Sequence, residues 1–204
     1  MSVVVGLTGQ SGAGKTTVSR VFEENGFGVI NCDLIARRVT EDGSDCNREL
    51  SQFFPLCFDK DLHLDRAAMA KIVFSDKEKL GLLNSVIFKY INEEIGREIE
   101  RLSESHAYIL LDAPTLFEAG ADKLCHYTVA VIAQESIRLK RITVRDRLDE
   151  QAVKKRFSSQ HDEKFFKENC GYLITNDRTP KEAAEETVRI IKIIKERENG
   201  KYKT

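Results

Sequence analysis

Residues 3–17 read Val3-Val4-Val5-Gly6-Leu7-Thr8-Gly9-Gln10-Ser11-Gly12-Ala13-Gly14-Lys15-Thr16-Thr17. The first five are apolar, rich in β-branched side chains and free of charge, which suits a parallel strand buried on both faces. From Gly9 the chain spells G-x-x-x-x-G-K-T, a loop whose glycines let the backbone bend until successive N–H groups point inward at a di- or triphosphate. Lys15 adds a point charge at the β- and γ-phosphates, and the Thr16 hydroxyl is placed for Mg²⁺. From average residue usage the four fixed positions coincide by chance in fewer than roughly one chain of this length in a hundred. Directly after the loop, Val18, Val21 and Phe22 recur at helical spacing, and Glu23-Glu24-Asn25-Gly26 supplies a glycine stop.

Working outward, strand-like runs recur at 3–7, 28–31, 108–111, 127–132 and 172–175, with helical patterns between them. This alternation predicts an α/β fold: a doubly wound, five-stranded parallel sheet whose ligands sit at the carboxyl ends of the strands. The informative residues fall at those ends: Gly9 onward after the first, Asp33 after the second, 112–118 after the third and Asn176 after the fifth.

Residues 34–105 are expected to be mainly helical. Leu82, Leu83, Val86, Ile87, Tyr90, Ile91, Ile95 and Ile99 repeat every three or four positions, the pattern of one long amphipathic helix. The organisation expected is a single domain with its core at about 1–33, 106–135 and 170–204, a helical substrate-side insertion at about 34–105 and a helical lid at about 136–169. The last helix is expected to open with Thr179 as cap and Pro180 in its first turn, and to run to Ile194.

Composition narrows the function. With Lys+Arg at 32 and Asp+Glu at 33, the net charge of −1 gives no global field to recruit nucleic acid or an anionic membrane. No run approaches the roughly 18 apolar residues of a membrane span, and the short apolar start lacks the basic segment of a signal peptide. Five cysteines, at 32, 46, 57, 125 and 170, show no metal-ligand spacing and read as reduced thiols of a cytoplasmic protein. The four histidines are scattered and receive no role.

Phosphoryl transfer needs positioned phosphates, Mg²⁺, a group that orients or deprotonates the acceptor hydroxyl, and cations that follow charge onto the moving group. Asp33 can accept a hydroxyl proton, and it can equally cap the helix that begins beside it. Arg138, Arg141 and Arg145 share a helix face by their i, i+3, i+7 spacing, either as a solvated surface or as a lid over phosphates. Asp112 ends an apolar strand as the acid of a Walker-B element does.

With these residues in view the chain resembles the dephospho-CoA kinase family, whose members use a P-loop kinase fold to phosphorylate the ribose 3′-hydroxyl of dephospho-CoA with ATP. The likeness is carried by Val5-Gly6-Leu7-Thr8-Gly9 with its loop, Asp33-Leu34-Ile35-Ala36-Arg37 followed by Gly43, Leu64-Asp65-Arg66, Ile72-Val73-Phe74, Leu83-Asn84 and Pro114-Thr115-Leu116-Phe117-Glu118. It continues through Arg141, Arg145-Asp146, Arg156, Gln160 and Asn176. The resemblance implies catalytic roles for Asp33, Lys15 and Arg141, and ATP contacts at Gly9, Ser11, Gly12, Ala13, Gly14, Lys15, Thr16, Thr17, Arg138, Arg145 and Asn176. It implies acceptor contacts at Thr8, Asp33, Arg66, Pro114, Leu116 and Glu118, Mg²⁺ at Thr16, and a monomer or weak homo-oligomer with no nucleic-acid or membrane partner. Three departures stand out: Asn31-Cys32-Asp33 where the family commonly has D-A-D, Phe88-Lys89 where a His-Pro pair is expected, and Gly171 where an acid usually precedes the last strand. A kinase of similar architecture for another small acceptor such as a nucleotide, and a non-catalytic nucleotide-binding protein, are the alternatives.

Overall fold

A computed structural model describes residues 2–201. Its sheet has five strands: β1 (Val3–Gly9), β2 (Gly28–Asn31), β3 (Tyr108–Asp112), β4 (Tyr127–Ile132) and β5 (Tyr172–Thr175), in the order β2-β3-β1-β4-β5. β1 runs parallel to both β3 and β4, with Leu7 opposite Asp112 on one side and Gly9 opposite Val131 on the other, and β4 runs parallel to β5. The β1 position, flanked by strands that come later in the chain on both sides, is the switch point outside which an open α/β sheet binds ligands.

The described residues fall into two compact units, one formed by residues up to Ile30 together with those from Leu102 onward, the other by Asn31–Arg101. In the first, the period-two alternation of buried strands sorts the core by face. Val5, Leu7, Leu110, Val129, Val131 and Ile174 pack with α1 (Lys15–Glu24) and α9 (Pro180–Lys201) through Val18, Val21, Phe22, Ile190, Ile191 and Ile194. Ala130 and Ile132 turn the other way, to Phe166 of α8 (Glu163–Asn169). Between β4 and β5 the chain also forms α6 (Glu135–Asp146) and α7 (Glu150–Ser158), separated by Arg147 in the left-handed region at φ 54°.

α9 opens on a capping box: Thr179 Oγ1 accepts from the Glu182 N–H at 3.2 Å, while Glu182 Oε2 accepts from the Thr179 N–H at 3.0 Å. It runs seven residues past Ile194, because the polar segment that follows contains no breaker before Gly200.

The second unit is helical: α2 (Cys32–Val39), α3 (Asp45–Phe53), α4 (Arg66–Val73) and most of α5 (Lys77–Ser103). Its own core joins Cys46, Leu50, Phe54, Cys57, Met69, Val73 and Val86. Asp76 starts α5 by accepting from the N–H groups of Glu78 and Lys79, and Val86, Ile91 and Ile95 form the buried stripe. One isolated bridge, Phe58 to Leu64, is the extended pairing among the described residues of this unit. No helix of the described chain is long and apolar enough to cross a membrane.

Candidate active site

The loop between β1 and α1 is fixed by close packing. Gly12, at φ 78°, lies against α6, where an added Cβ would stand 2.9–3.0 Å from Ile142 and the Arg138 carbonyl. Gly14, at φ 98°, lies against the segment after β5, where a Cβ would stand 2.3 Å from Asn176 Nδ2. Only glycine meets both demands, a left-handed backbone and no side chain.

Two side chains hold the loop's carbonyl side. Asn176, 5% exposed, donates to the Ala13 carbonyl at 2.8 Å. Arg141 Nη1 donates to the Gly12 and Ala13 carbonyls at 3.4 and 3.3 Å, and its Nη2 to the Asn176 carbonyl at 3.1 Å. Gln160 accepts from the Ser11 N–H at 3.2 Å, and Gln10 Oε1 from the Ala133 N–H at 3.4 Å. The amides of Gly12, Gly14, Lys15 and Thr16, by contrast, meet no acceptor among the described residues. These four donors, at a helix N-terminus with its positive dipole end, make a site for an anion.

Lys15 pairs with Asp112 at the end of β3, and both are largely buried. Thr16 is exposed in the first turn of α1, and Thr17 donates its N–H to the Gly14 carbonyl at 3.1 Å. Thr8, 1% exposed, donates its hydroxyl to the Pro114 carbonyl at 3.2 Å and so ties the end of β1 to the Pro114–Glu118 segment. In that segment Leu116 is fully buried against Gly6, while Glu118 is exposed, with His161 Nε2 at 3.6 Å. What Leu116 offers is packing that fixes its neighbours.

The three arginines of α6 have three different surroundings. Arg141 meets the loop. Arg138 is 6% exposed, donates from Nε to the Ala133 carbonyl at 3.0 Å and lies 4.2 Å over the Phe157 ring; burial pulls its pKa down. Arg145 grips Asp146 with two bonds of 2.7 and 3.0 Å, and Arg156 adds a third at 2.7 Å. Hydrogen bonds from Arg145, then Arg156, hold the Asp146 carboxyl well below the usual carboxylate range. The spacing gives a common azimuth, but Phe157 of α7 covers one end of it and leaves the other to solvent.

In the helical unit, Asn31 rather than Asp33 is the N-cap of α2. Its backbone is extended, at φ −92° and ψ 107°, and its Oδ1 accepts from the Leu34 N–H at 3.1 Å. The helix therefore starts at Cys32, and Asp33 stands in the first turn, exposed and with no cation or donor partner among the described residues. A cap is satisfied once, so the carboxylate is left available. Arg66, at the start of α4, donates from Nη2 to the carbonyl and hydroxyl of Thr40, each at 3.3 Å.

Asp112 and Gln160 join the loop in space although sequence reasoning gave them no firm place. The signal for Asp112 was the acid at the end of an apolar strand, and for Gln160 the spacing of Arg156 and Gln160.

Residues 3–182 match the family model described as dephospho-CoA kinase. The dephospho-CoA kinase of Fusobacterium nucleatum subsp. nucleatum is 36% identical over 159 residues, 78% of this chain and 81% of that protein. That of Bacillus cereus is 33% identical over 181 residues, 88% of this chain and 90% of its own. A solved structure from Thermus thermophilus superposes with a TM-score of 0.81 at 29% identity, covering 93% of this chain and 96% of that one.

Proposed function

The chain belongs to the dephospho-CoA kinase family and phosphorylates dephospho-CoA with ATP; we propose the following division of labour among its residues. The carrying observation is the set of four loop amides, Gly12, Gly14, Lys15 and Thr16, left without an acceptor among the described residues at the start of α1. They take the β- and γ-phosphates of ATP, with Gly9, Ser11, Ala13 and Thr17 forming the rest of the cradle. Lys15 places its ammonium on the phosphates when it leaves Asp112, and Arg141, already 3.3–3.4 Å from the loop carbonyls, follows charge onto the transferring phosphoryl. Asn176 holds the loop, while Arg138 and Arg145 keep the lid helices in place.

The donor set fits Mg²⁺, a hard ion that prefers oxygen: an exposed Thr16 hydroxyl in the first turn and the Asp112 carboxylate at the neighbouring strand end. When bound it neutralises charge on the phosphate oxygens. Asp33 orients the ribose 3′-hydroxyl and accepts its proton as the oxygen attacks. Arg66 meets acceptor phosphates, and Thr8, Pro114, Leu116 and Glu118 shape the acceptor side of the β3 end. The balanced charge supports action on small molecules without a nucleic-acid or membrane partner, the cysteine pattern supports the cytoplasm, and the family resemblance a monomer or weak homo-oligomer.

The test is ADP release by the full chain with Mg²⁺ and ATP, with and without dephospho-CoA. Acceptor-dependent ADP and formation of CoA are expected. Folded protein giving no turnover above the ATP-only background would overturn the reading.

A further inference from the structure

The helical unit contains six arginines, Arg37, Arg38, Arg48, Arg66, Arg97 and Arg101. Four of them meet carboxylates. Arg38 reaches Glu94 at 2.6 Å and Glu98 at 3.3 Å, Arg48 pairs with Asp45, Arg97 lies 2.9 Å from Glu94, and Arg101 lies 2.7 Å from Glu98. Arg37 and Arg66 meet none among the described residues. That is unexpected where acidic residues outnumber basic ones fourteen to eleven over 31–101. An excess of carboxylates should leave acids over, not arginines.

The two exceptions are also neighbours. Thr40 donates its N–H to the Arg37 carbonyl at 3.2 Å and its hydroxyl to the same carbonyl at 3.3 Å. Arg66 donates to the Thr40 carbonyl and hydroxyl. Both arginines therefore stand at the carboxyl end of α2. Arg38, a hundred degrees further round the helix, is the one that turns to α5.

Asp33 completes the arrangement. It precedes Arg37 by four residues, so the two share one face of α2 with Cβ atoms about 5–6 Å apart. Opposite charges at this spacing commonly pair, yet these two do not, and both are exposed. The face thus presents, in order, a carboxylate with no donor and a guanidinium with no carboxylate among the described residues, and a second guanidinium held at the helix end.

Building on the kinase reading above, we propose that Arg37 is a specificity-determining residue that, together with Arg66, clamps the 5′-diphosphate of the acceptor while Asp33 takes its 3′-hydroxyl. A single helical turn separates carboxylate from guanidinium, comparable with the span across a ribose from its 3′-oxygen to its 5′-phosphate. A guanidinium fork suits a diphosphate because it donates two parallel bonds, which an ammonium cannot. The clamp selects acceptors carrying phosphate and adds nothing for a bare nucleoside.

The experiment compares the full chain with its Arg37→Ala, Arg37→Lys and Arg66→Ala variants, using dephospho-CoA and adenosine as acceptors. Arg37→Ala is expected to raise the KM for dephospho-CoA by about ten- to a hundredfold. The KM for ATP and the melting temperature should stay as they are, and the preference for dephospho-CoA over adenosine should fall by the same factor. Arg37→Lys should recover part of the loss. An unchanged KM with a lowered melting temperature would mean that Arg37 only complements the negative end of α2, and would overturn the clamp alone. Equal losses on both acceptors would overturn it too. No turnover of dephospho-CoA by the unaltered chain would overturn the clamp together with the kinase reading.

Discussion

The two units hold the charged residues assigned to the reaction in different ways. Around the phosphate loop the charged and amide side chains already have protein partners: Lys15 has Asp112, Arg141 has the loop carbonyls, Asn176 has Ala13 and Arg138 has Ala133 and Phe157. In the helical unit Asp33 and Arg37 are exposed and have no ion-pair partner among the described residues. A triphosphate brings high charge to a site that must not bend, so donors fixed beforehand avoid reorganisation during transfer. An acceptor is chosen by what it offers, and groups left open to solvent are answered only by a ligand of complementary charge. The first arrangement is expensive to disturb structurally; the second should lose function without losing stability.

The largest effect that sharpens this contrast is Asp33→Asn. The amide cannot accept the hydroxyl proton, so kcat with dephospho-CoA should fall by roughly 10²–10⁴. ATP affinity, measured by titration calorimetry, should not move, and the melting temperature should fall little, because Asp33 has no hydrogen-bond partner among the described residues and loses only its favourable place in the first turn of α2, worth about 0.3–1 kcal/mol. A variant that keeps more than a tenth of its turnover would remove Asp33 from the chemistry.

Gly14→Ala probes the opposite region. At φ 98° a Cβ is strained, and at 2.3 Å from Asn176 Nδ2 it must drive the buried amide off the Ala13 carbonyl. Strain and a lost buried hydrogen bond together should cost about 1–3 kcal/mol. For a chain of this size that is a drop of about 2–4 °C per kcal/mol in melting temperature, with weaker ATP binding alongside. Unchanged melting with unchanged ATP affinity would show that the loop is not fixed in the way the contacts imply.

The same contrast explains how much could be read in advance. The strands at 28–31, 127–132 and 172–175 were legible because a parallel strand must bury both faces, and a short uncharged run records that locally. The glycine loop was legible for the same reason, since φ above zero leaves its mark on the residue that adopts it. Lys15 and Asp112 are 97 residues apart and Asn176 and Ala13 are 163 apart, so their meeting depends on strand order, which no local pattern contains. Arg138 shows the limit most clearly. Helical spacing gives its direction on α6, but its burial depends on Phe157 arriving from the next helix. The cap of α2 failed to be legible in a smaller way: Asn31 and Asp33 can both cap, and the end of β2 decides between them.

That decision gives the smallest test. Asn31→Ala removes the oxygen that accepts from the Leu34 N–H and should lower stability by about 0.5–2 kcal/mol. Asn31→Asp should restore it, because aspartate and asparagine are nearly equal caps and a carboxylate suits the positive end of a helix. Thermal melts of the two variants beside the unaltered chain decide the matter. If both melt alike, the cap contributes nothing and the start of α2 is held by the buried Cys32 and Ile35 instead. If only alanine falls, position 31 needs an acceptor oxygen and not a charge. Asparagine then supplies the cap while leaving Asp33 the sole carboxylate of its turn.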